Sequence, residues 1–313
     1  KLILESYKNF GDPLVTPLVE VDDFYVLELF HGPTLAFKDV ALQFLGNVFE
    51  HILKVKGGSL NILGATSGDT GSAAIAGIRG KKNINIFIMF PEGRTSELQE
   101  RQMTSILDGN VQNIAIEGSF DDCQSILKSV FSDLSFKEEH QLGAVNSVNW
   151  ARVLPQVIYY FSAYSQLGAP ATFQVAVPTG NFGNIFAGYV ARRMGLPIKQ
   201  LILATNQNDI LHRFFSTGDY ERGEVRYSYS PAMDIQVASN FERYLYYEFE
   251  EDSNKVREFI TSFLKQGKAS VKFNSLNLDT AFASGSTDDE STLTMIAQVN
   301  SEEKYLLDPH AAG

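Results

Sequence analysis

Residues 27–39, LELFHGPTLAFKD, decide how the rest of the chain is read. The run before and into them, Phe24 to Phe30, reads as a strand, Gly32-Pro33-Thr34 is a turn, and from Ala36 onward the sequence FKDVALQFLGNVF has the apolar spacing of a helix. Lys38 therefore falls in the first turn of a helix entered from a sheet. Cations are favoured at helix C-termini, because the N-terminal end of the dipole is positive. A lysine here, flanked by Phe37 and Val40, is expected to lose proton affinity to the dipole and to desolvation. A neutral amine is what attack on a carbonyl and Schiff-base formation require.

The pattern of a β-branched run, a turn and an amphipathic stretch then repeats. Leu60–Leu63 precedes GATSGDTGSAAIAGIRG, Ile84–Phe90 precedes PEGRTSELQERQMTSIL, and Val111–Ile116 precedes EGSFDDCQSILKSVFSDL. Gly143–Val145 precedes NSVNWARVLPQVIYYFSAYSQLG, Phe173–Val177 precedes PTGNFGNIFAGYVARRMG, and Leu201–Ala204 precedes TNQNDILHRFFSTG. Alternation of this kind means βαβ units, parallel sheet and flanking helices. Ligands of such sheets bind beyond the carboxyl ends of the strands, so the polar loops that follow these runs are the candidates. The rhythm is lost over 214–252, where six tyrosines mix with charges; this reads as a packing region, and Glu242–Lys265 as one charged-faced helix. Asp288–Glu290 suits the start of another helix.

Three loops carry groups for chemistry. In PTGNFGN, residues 178–184, Gly180 and Gly183 permit close backbone approach, and free amides at the helix start favour a phosphate; a glycine turn made only for packing is the competing reading. The spacing is neither that of a dinucleotide fingerprint nor of a Walker lysine loop. In ATSGDTGS, residues 65–72, Thr66, Ser67 and Thr70 offer hydroxyls to an anion, or serve as ordinary helix caps. Asp69 would repel an anion there unless it meets a donor. In NSVNWAR, residues 146–152, Asn149 and Arg152 share a helix face, with Asn146 and Ser147 placed to cap it. Arg152 either holds a phosphate dianion or pairs with a surface carboxylate.

Composition narrows the rest. The chain has 313 residues, 44% hydrophobic, enough for two lobes. Acidic residues outnumber basic ones by 37 to 26, a net charge of -11, which argues against nucleic-acid and anionic-membrane partners while leaving room for a local basic pocket. The single cysteine, Cys123, follows two aspartates, permits no internal disulfide, and reads as structural in a reducing compartment. The five histidines have no metal-ligand spacing, and no nucleophile elbow of the hydrolase type is present. No apolar run is long enough to span a bilayer, and the first residues lack the pattern of a signal peptide.

ELFHGPTLAFKD, GATSGDTGSAA, EGSFDDCQSI, AVNSVNWAR, VPTGNFGNIFAGY, SPAMDIQVASNFERY and DPHAA occur in the order found in threonine synthases, and nearly the whole chain resembles that family. The resemblance implies an α/β fold of pyridoxal-phosphate fold type II, tryptophan synthase β-like, with two lobes of parallel or mostly parallel sheet. Residues 1–45 and 146–313 would form the larger cofactor-binding lobe and 46–145 the smaller one. It implies pyridoxal 5'-phosphate as cofactor, Lys38 as the Schiff-base lysine, and Gly180, Asn181, Phe182, Gly183 and Asn184 around the cofactor phosphate, with Asp69 at the cofactor. Thr66, Ser67, Gly68 and Thr70 would face the substrate carboxylate, and Asn146, Ser147 and Arg152 the phosphate of O-phospho-L-homoserine. The implied activity is that of a carbon–oxygen lyase acting on phosphates: γ-elimination, then addition of water, giving L-threonine and phosphate in the last step of threonine biosynthesis. A threonine-synthase-like phospho-lyase releasing 2-oxobutyrate is the alternative. A cytoplasmic enzyme, monomeric or weakly homo-oligomeric, is expected. The family has segments before Lys1 and after Gly313, so the chain reads as part of a longer protein. Ala311 stands where the family often has a threonine able to meet the cofactor's pyridine nitrogen.

Overall fold

The structure, a computed structural model, describes residues 1–146, 149–271 and 281–313. Contacts divide the chain into two compact units: Lys1–Val19 with Leu27–Pro155, and Glu20–Val26 with Gln156–Gly313. This cut follows packing, whereas the lobes drawn from the sequence follow cofactor role; by packing, Lys38 and Arg152 both belong to the first unit.

In chain order the residues up to Pro155 form α1 (Leu2–Tyr7), β1 (Leu18–Val21), β2 (Phe24–Leu27), α2 (Lys38–Lys56), β3 (Leu60–Ala65), α3 (Asp69–Ile78), β4 (Ile84–Pro91), α4 (Glu97–Thr104), β5 (Val111–Ile116), α5 (Phe120–Ser132), α6 (Leu134–Glu139), β6 (Leu142–Gly143) and α7 (Trp150–Val153). Residues 20–26 of the small β1–β2 pair group with the second unit. The main sheet is four-stranded in the order β5-β4-β3-β6, and every pairing is parallel. Its strands carry Ile62, Ile84, Ile86 and Ile88 into a core shared with Leu42, Leu45, Ile75 and Met103 from the helices. Strands buried on both faces read as continuous apolar runs, which is why INIFIMF at 84–90 was recognisable without alternation.

Two glycines fix how the helices that carry the site lie together. A Cβ on Gly46 of α2 would sit 2.1 Å from the Gly77 carbonyl oxygen, and one on Gly77 of α3 would sit 2.5 Å from that of Leu42. The two backbones touch directly, as glycine alone permits. Thus Gly46 meets Gly77 while Lys38 meets Asp69, so the N-terminal ends of α2 and α3 lie side by side.

The second unit contains α8 (Val157–Gln166), β7 (Phe173–Pro178), α9 (Gly183–Arg193), β8 (Ile198–Thr205), α10 (Ile210–Thr217), β9 (Asp219–Glu221), α11 (Phe241–Glu248), α12 (Ser253–Gln266), β10 (Lys268–Ser270), β11 (Phe282–Ser286) and α13 (Asp289–Glu302). Strands β11-β8-β7 form a parallel sheet, and β9 pairs with β10 antiparallel. Its core is aromatic: Phe182, Phe214, Phe215, Phe241, Tyr244 and Phe282 pack ring against ring. Of the tyrosines in the stretch 214–252, Tyr220 and Tyr244 are buried in this core, as a packing region requires, whereas Tyr227, Tyr229 and Tyr246 are exposed.

Three expectations are corrected. Glu242–Lys265 is two helices, because Glu250 and Glu251 turn at φ 56° and 64° and Asp252 then caps α12 by accepting from Asn254 N and Lys255 N. Apolar spacing survives such a break; hydrogen bonding does not. The helix expected after β6 is interrupted by a 3-10 turn at Leu154–Gln156, where Pro155 has no N–H to give. The helix of residue 38 begins at Lys38, not Ala36, and the strand before it ends at Leu27.

Candidate active site

Lys38 is the first residue of α2, and its Nζ is ion-paired with Asp69, the first residue of α3. The lysine side chain is 12% exposed and the aspartate 29%. Burial draws the Lys38 amine below the ordinary lysine value, Asp69 opposes this, and Arg152 reinforces it. Burial works to raise Asp69, but the Lys38 charge, the Lys38 hydrogen bond and the Thr70 amide together hold it below the ordinary carboxylate value. Asp69 thus meets the donor without which it had no place in the loop. Its Oδ1 also accepts from Thr70 N at 2.7 Å.

The turn that presents Lys38 is held by the next residue. Asp39 is fully buried, and its carboxylate accepts from Thr34 N at 2.7 Å and Thr34 Oγ1 at 2.8 Å. Burial raises its pKa and these bonds oppose the rise. Leu35, between Thr34 and Lys38, sits at φ 60°, a conformation uncommon for a residue with a branched side chain. Asp39 is a residue that sequence reasoning missed; a carboxylate directly after the lysine, five residues beyond a threonine in a turn, is the signal that could have found it.

At the carboxyl end of β3, Thr66 is buried and its Oγ1 accepts from Gly68 N at 3.0 Å and Gly71 N at 2.9 Å. It shapes the loop from within, the capping reading of its hydroxyl. Ser67 is exposed. Thr66 and Thr70 line, with Val145 and Asn146, a cavity of about 20 Å³, the size of one water. Arg152 is buried, not a surface residue, and donates from one guanidinium nitrogen to Val145 O at 2.8 Å. The cap of α7 is Asn149, whose Oδ1 accepts from Ala151 N at 3.0 Å; Asn146 and Ser147 were the expected caps, and Asn149 was expected inside the helix. Ser147 lies outside the described residues.

The loop of residues 178–184 leaves β7 in the second unit and enters α9. A Cβ on Gly180 would lie 2.6 Å from the Ala232 carbonyl oxygen, so the loop has room there for backbone alone. Phe182 turns at φ 61° and places its ring, 1% exposed, in the aromatic core; only its backbone is available to a ligand. The asparagine oxygens of the loop are committed to the protein. Asn181 O accepts from Asn240 N and Nδ2, both at 3.1 Å, and Asn181 Oδ1 from Ser239 Oγ at 3.2 Å. Asn184 O and Oδ1 accept from the Tyr160 hydroxyl at 2.8 and 3.0 Å. Engaging the acceptors leaves a donor-rich loop at a helix N-terminus, which is what an anion needs.

Sequence reasoning missed what stands behind this loop. Beyond β8, Asn206 Nδ2 donates to Asp234 Oδ1 at 2.7 Å and Asn208 Nδ2 to the same oxygen at 3.0 Å, while Ser228 Oγ donates to it at 2.6 Å. This network fixes the 228–234 segment, including Ala232 against Gly180. The SPAMD run at 230–234 was visible in the sequence, but its bonds to Asn206 and Asn208 span more than twenty positions.

The donor sets fit a phosphorylated aldehyde cofactor, each unit by itself: a buried amine with a carboxylate partner in the first, and a glycine-bearing loop at a helix N-terminus in the second. The family described as "Pyridoxal-phosphate dependent enzyme" matches residues 12–267. The chain is 51% identical over 315 residues to the threonine synthase of Pseudomonas aeruginosa, covering 100% of this chain and 67% of that one. It belongs to the threonine synthase family. Identity to the threonine synthase of Schizosaccharomyces pombe is 46% over 346 residues, again 100% of this chain and 67% of the relative. The crystal structure of the pyridoxal-phosphate-bound threonine synthase of Brucella melitensis superimposes with a TM-score of 0.95 at 49% identity, covering 99% of this chain and 68% of that one. The fold is that of the family, and its cofactor is pyridoxal phosphate. This chain spans about two thirds of the length of these family members. No helix among the described residues is long and apolar enough to cross a membrane.

Proposed function

We propose that Lys38 is the amine that carries the cofactor, and that the threonine synthase reaction of this chain converts O-phospho-L-homoserine and water to L-threonine and phosphate. The observation that carries the proposal is a buried lysine at a helix N-terminus, drawn below its ordinary pKa, in a chain of this family. When bound, the cofactor supplies the electron sink for carbanion chemistry at the amino-acid Cα. The protein's own groups do the rest. Lys38 Nζ takes the proton from Cα, and the same amine, repositioned by a few rotamers of a long side chain, takes one from Cβ as phosphate leaves Cγ. A proton is then delivered to Cγ, the hydroxyl of water adds at Cβ and a proton returns to Cα, so the two protons taken and the one from water end on Cγ, Cα and the departing phosphate.

Arg152, with Asn146 and Ser147, is assigned the substrate phosphate; its burial makes a charge-assisted contact strong. Thr66, Ser67, Gly68 and Thr70 are assigned the substrate carboxylate, with the amides of the loop as donors, since Thr66 Oγ1 already serves that loop. Asp69 is assigned to the cofactor beside Lys38, and Gly180–Asn184 to its phosphate. The larger lobe of residues 1–45 and 146–313 would then hold the cofactor, and 46–145 would be the smaller lobe. The net charge of -11 supports a small-molecule enzyme with no nucleic-acid partner, and we place it in the cytoplasm as a monomer or weak homo-oligomer.

Incubating the full-length protein with cofactor and O-phospho-L-homoserine and identifying the product tests the reaction. Threonine and phosphate are expected. Release of 2-oxobutyrate and ammonia would make it a phospho-lyase, and no turnover would overturn the proposal.

A further inference from the structure

We propose that Asp69 is the proton partner of Lys38, the group that decides when the amine is free to attack a carbonyl. This rests on the reading that Lys38 takes the cofactor, and adds a role for the carboxylate that touches it. The geometry carries the inference. Asp69 Oδ2 contacts Lys38 Nζ directly, while its other oxygen is held by Thr70 N at 2.7 Å. One carboxylate oxygen is thus anchored to the α3 backbone and the other is aimed at the amine. The meeting of the two helix ends follows from the Gly46 and Gly77 contact, so the pair is built into the packing of α2 on α3.

Asp69 is the charged group that favours the ammonium, beside the Phe37 ring, whose centroid lies 5.1 Å from Nζ. Among the described residues, the ionised groups whose charge acts on Lys38 are Asp69 and Arg152, and Arg152 disfavours a second cation. Asp39, next in the chain, turns its carboxylate to Thr34 instead. Burial also disfavours the ammonium. Before Lys38 can react, the ammonium must give up a proton, either to the Asp69 carboxylate or past it to solvent. The nitrogen then bonds to the aldehyde carbon and the carbonyl oxygen leaves as water. Asp69 therefore sets the pH above which the cofactor is captured, and remains beside the same nitrogen afterwards as a counter-ion.

The test uses full-length protein stripped of cofactor. It is exposed briefly to pyridoxal phosphate across a pH series, reduced with borohydride, and the labelled peptides are weighed. In the wild type, label should collect on Lys38 with a defined pH midpoint. Asp69→Asn keeps an acceptor for Thr70 N but removes the charge, and should move that midpoint down by about one to three pH units. Asp69→Glu keeps the charge and should stay near the wild type. If Asp69→Asn does not fold, as judged by circular dichroism, Asp69→Ser reads the same shift. An unmoved midpoint on Lys38 in the neutral variants would overturn the role of Asp69 while leaving the cofactor lysine intact. Label on other lysines alone would overturn the assignment of Lys38, and this inference with it.

Discussion

The loop beside Lys38 and the loop of residues 178–184 both follow parallel strands and both open helices, yet they are built on different principles. In the first, side-chain charge does the work: Lys38, Asp69 and Arg152 are buried or half-buried and shift one another. In the second, the backbone does it: Gly180 has room for nothing larger, Phe182 is locked in the core, and the asparagine acceptors are tied to Asn240, Ser239 and Tyr160. Charge is sensitive to the loss of an atom, and a backbone cradle to the gain of one.

Removing the amine should break the first region most severely. Lys38→Ala is expected to lower turnover by more than about 10⁴-fold, as loss of a group central to catalysis does, while circular dichroism and the melting profile show a folded protein. A folded variant with near wild-type rate would remove Lys38 from the chemistry. The counterpart in the second region is a core change. Phe182→Ala should destabilise the protein by roughly 3–5 kcal/mol in chemical denaturation, because the ring is 1% exposed and its cavity cannot close. Weaker cofactor binding should accompany it, since the same residue sets the φ 61° turn.

Arg152→Ala sharpens the comparison, for it should leave cofactor absorbance unchanged and cost about 2–4 kcal/mol in kcat/KM for O-phospho-L-homoserine. Gly180→Val should do the reverse. It forces the Ala232 backbone aside at about 1–3 kcal/mol, read as a 10- to 100-fold weaker cofactor titration with near-normal activity at saturation. If Arg152→Ala emptied the cofactor site while Gly180→Val bound cofactor normally, the two loops would have exchanged roles.

The smallest effect concerns Asp39. Its pKa is raised above 3.8 in the folded protein. Between 3.8 and the folded value the native state holds more protons than the unfolded chain, so stability falls as pH rises through that window. Asp39→Asn removes the titrating group and should flatten that slope, changing stability at neutral pH by less than about 1 kcal/mol, measured by denaturation across the acid range.

Local chemistry determined much of this in advance. Continuous β-branched runs announced the parallel strands, the turn before Lys38 announced its helix, and PTGNFGN announced a tight strand-to-helix loop, because each depends on residues within a few positions of one another. Helix breaks at Glu250 and Pro155 were harder to place, since apolar spacing continues across them while hydrogen bonding is interrupted. What only the tertiary structure decided are the meetings of residues far apart in the chain: Asp69 against Lys38, Asn240 on Asn181, and Asp234 between Asn206 and Asn208. The sequence presents Asp69 as a charge misplaced in an anion loop. Packing of α2 on α3 through two glycines brings a cation to it, and burial then gives that pair its strength, because the energy of a charge depends on the distance to its partner and the water around it, neither of which is written in the order of residues.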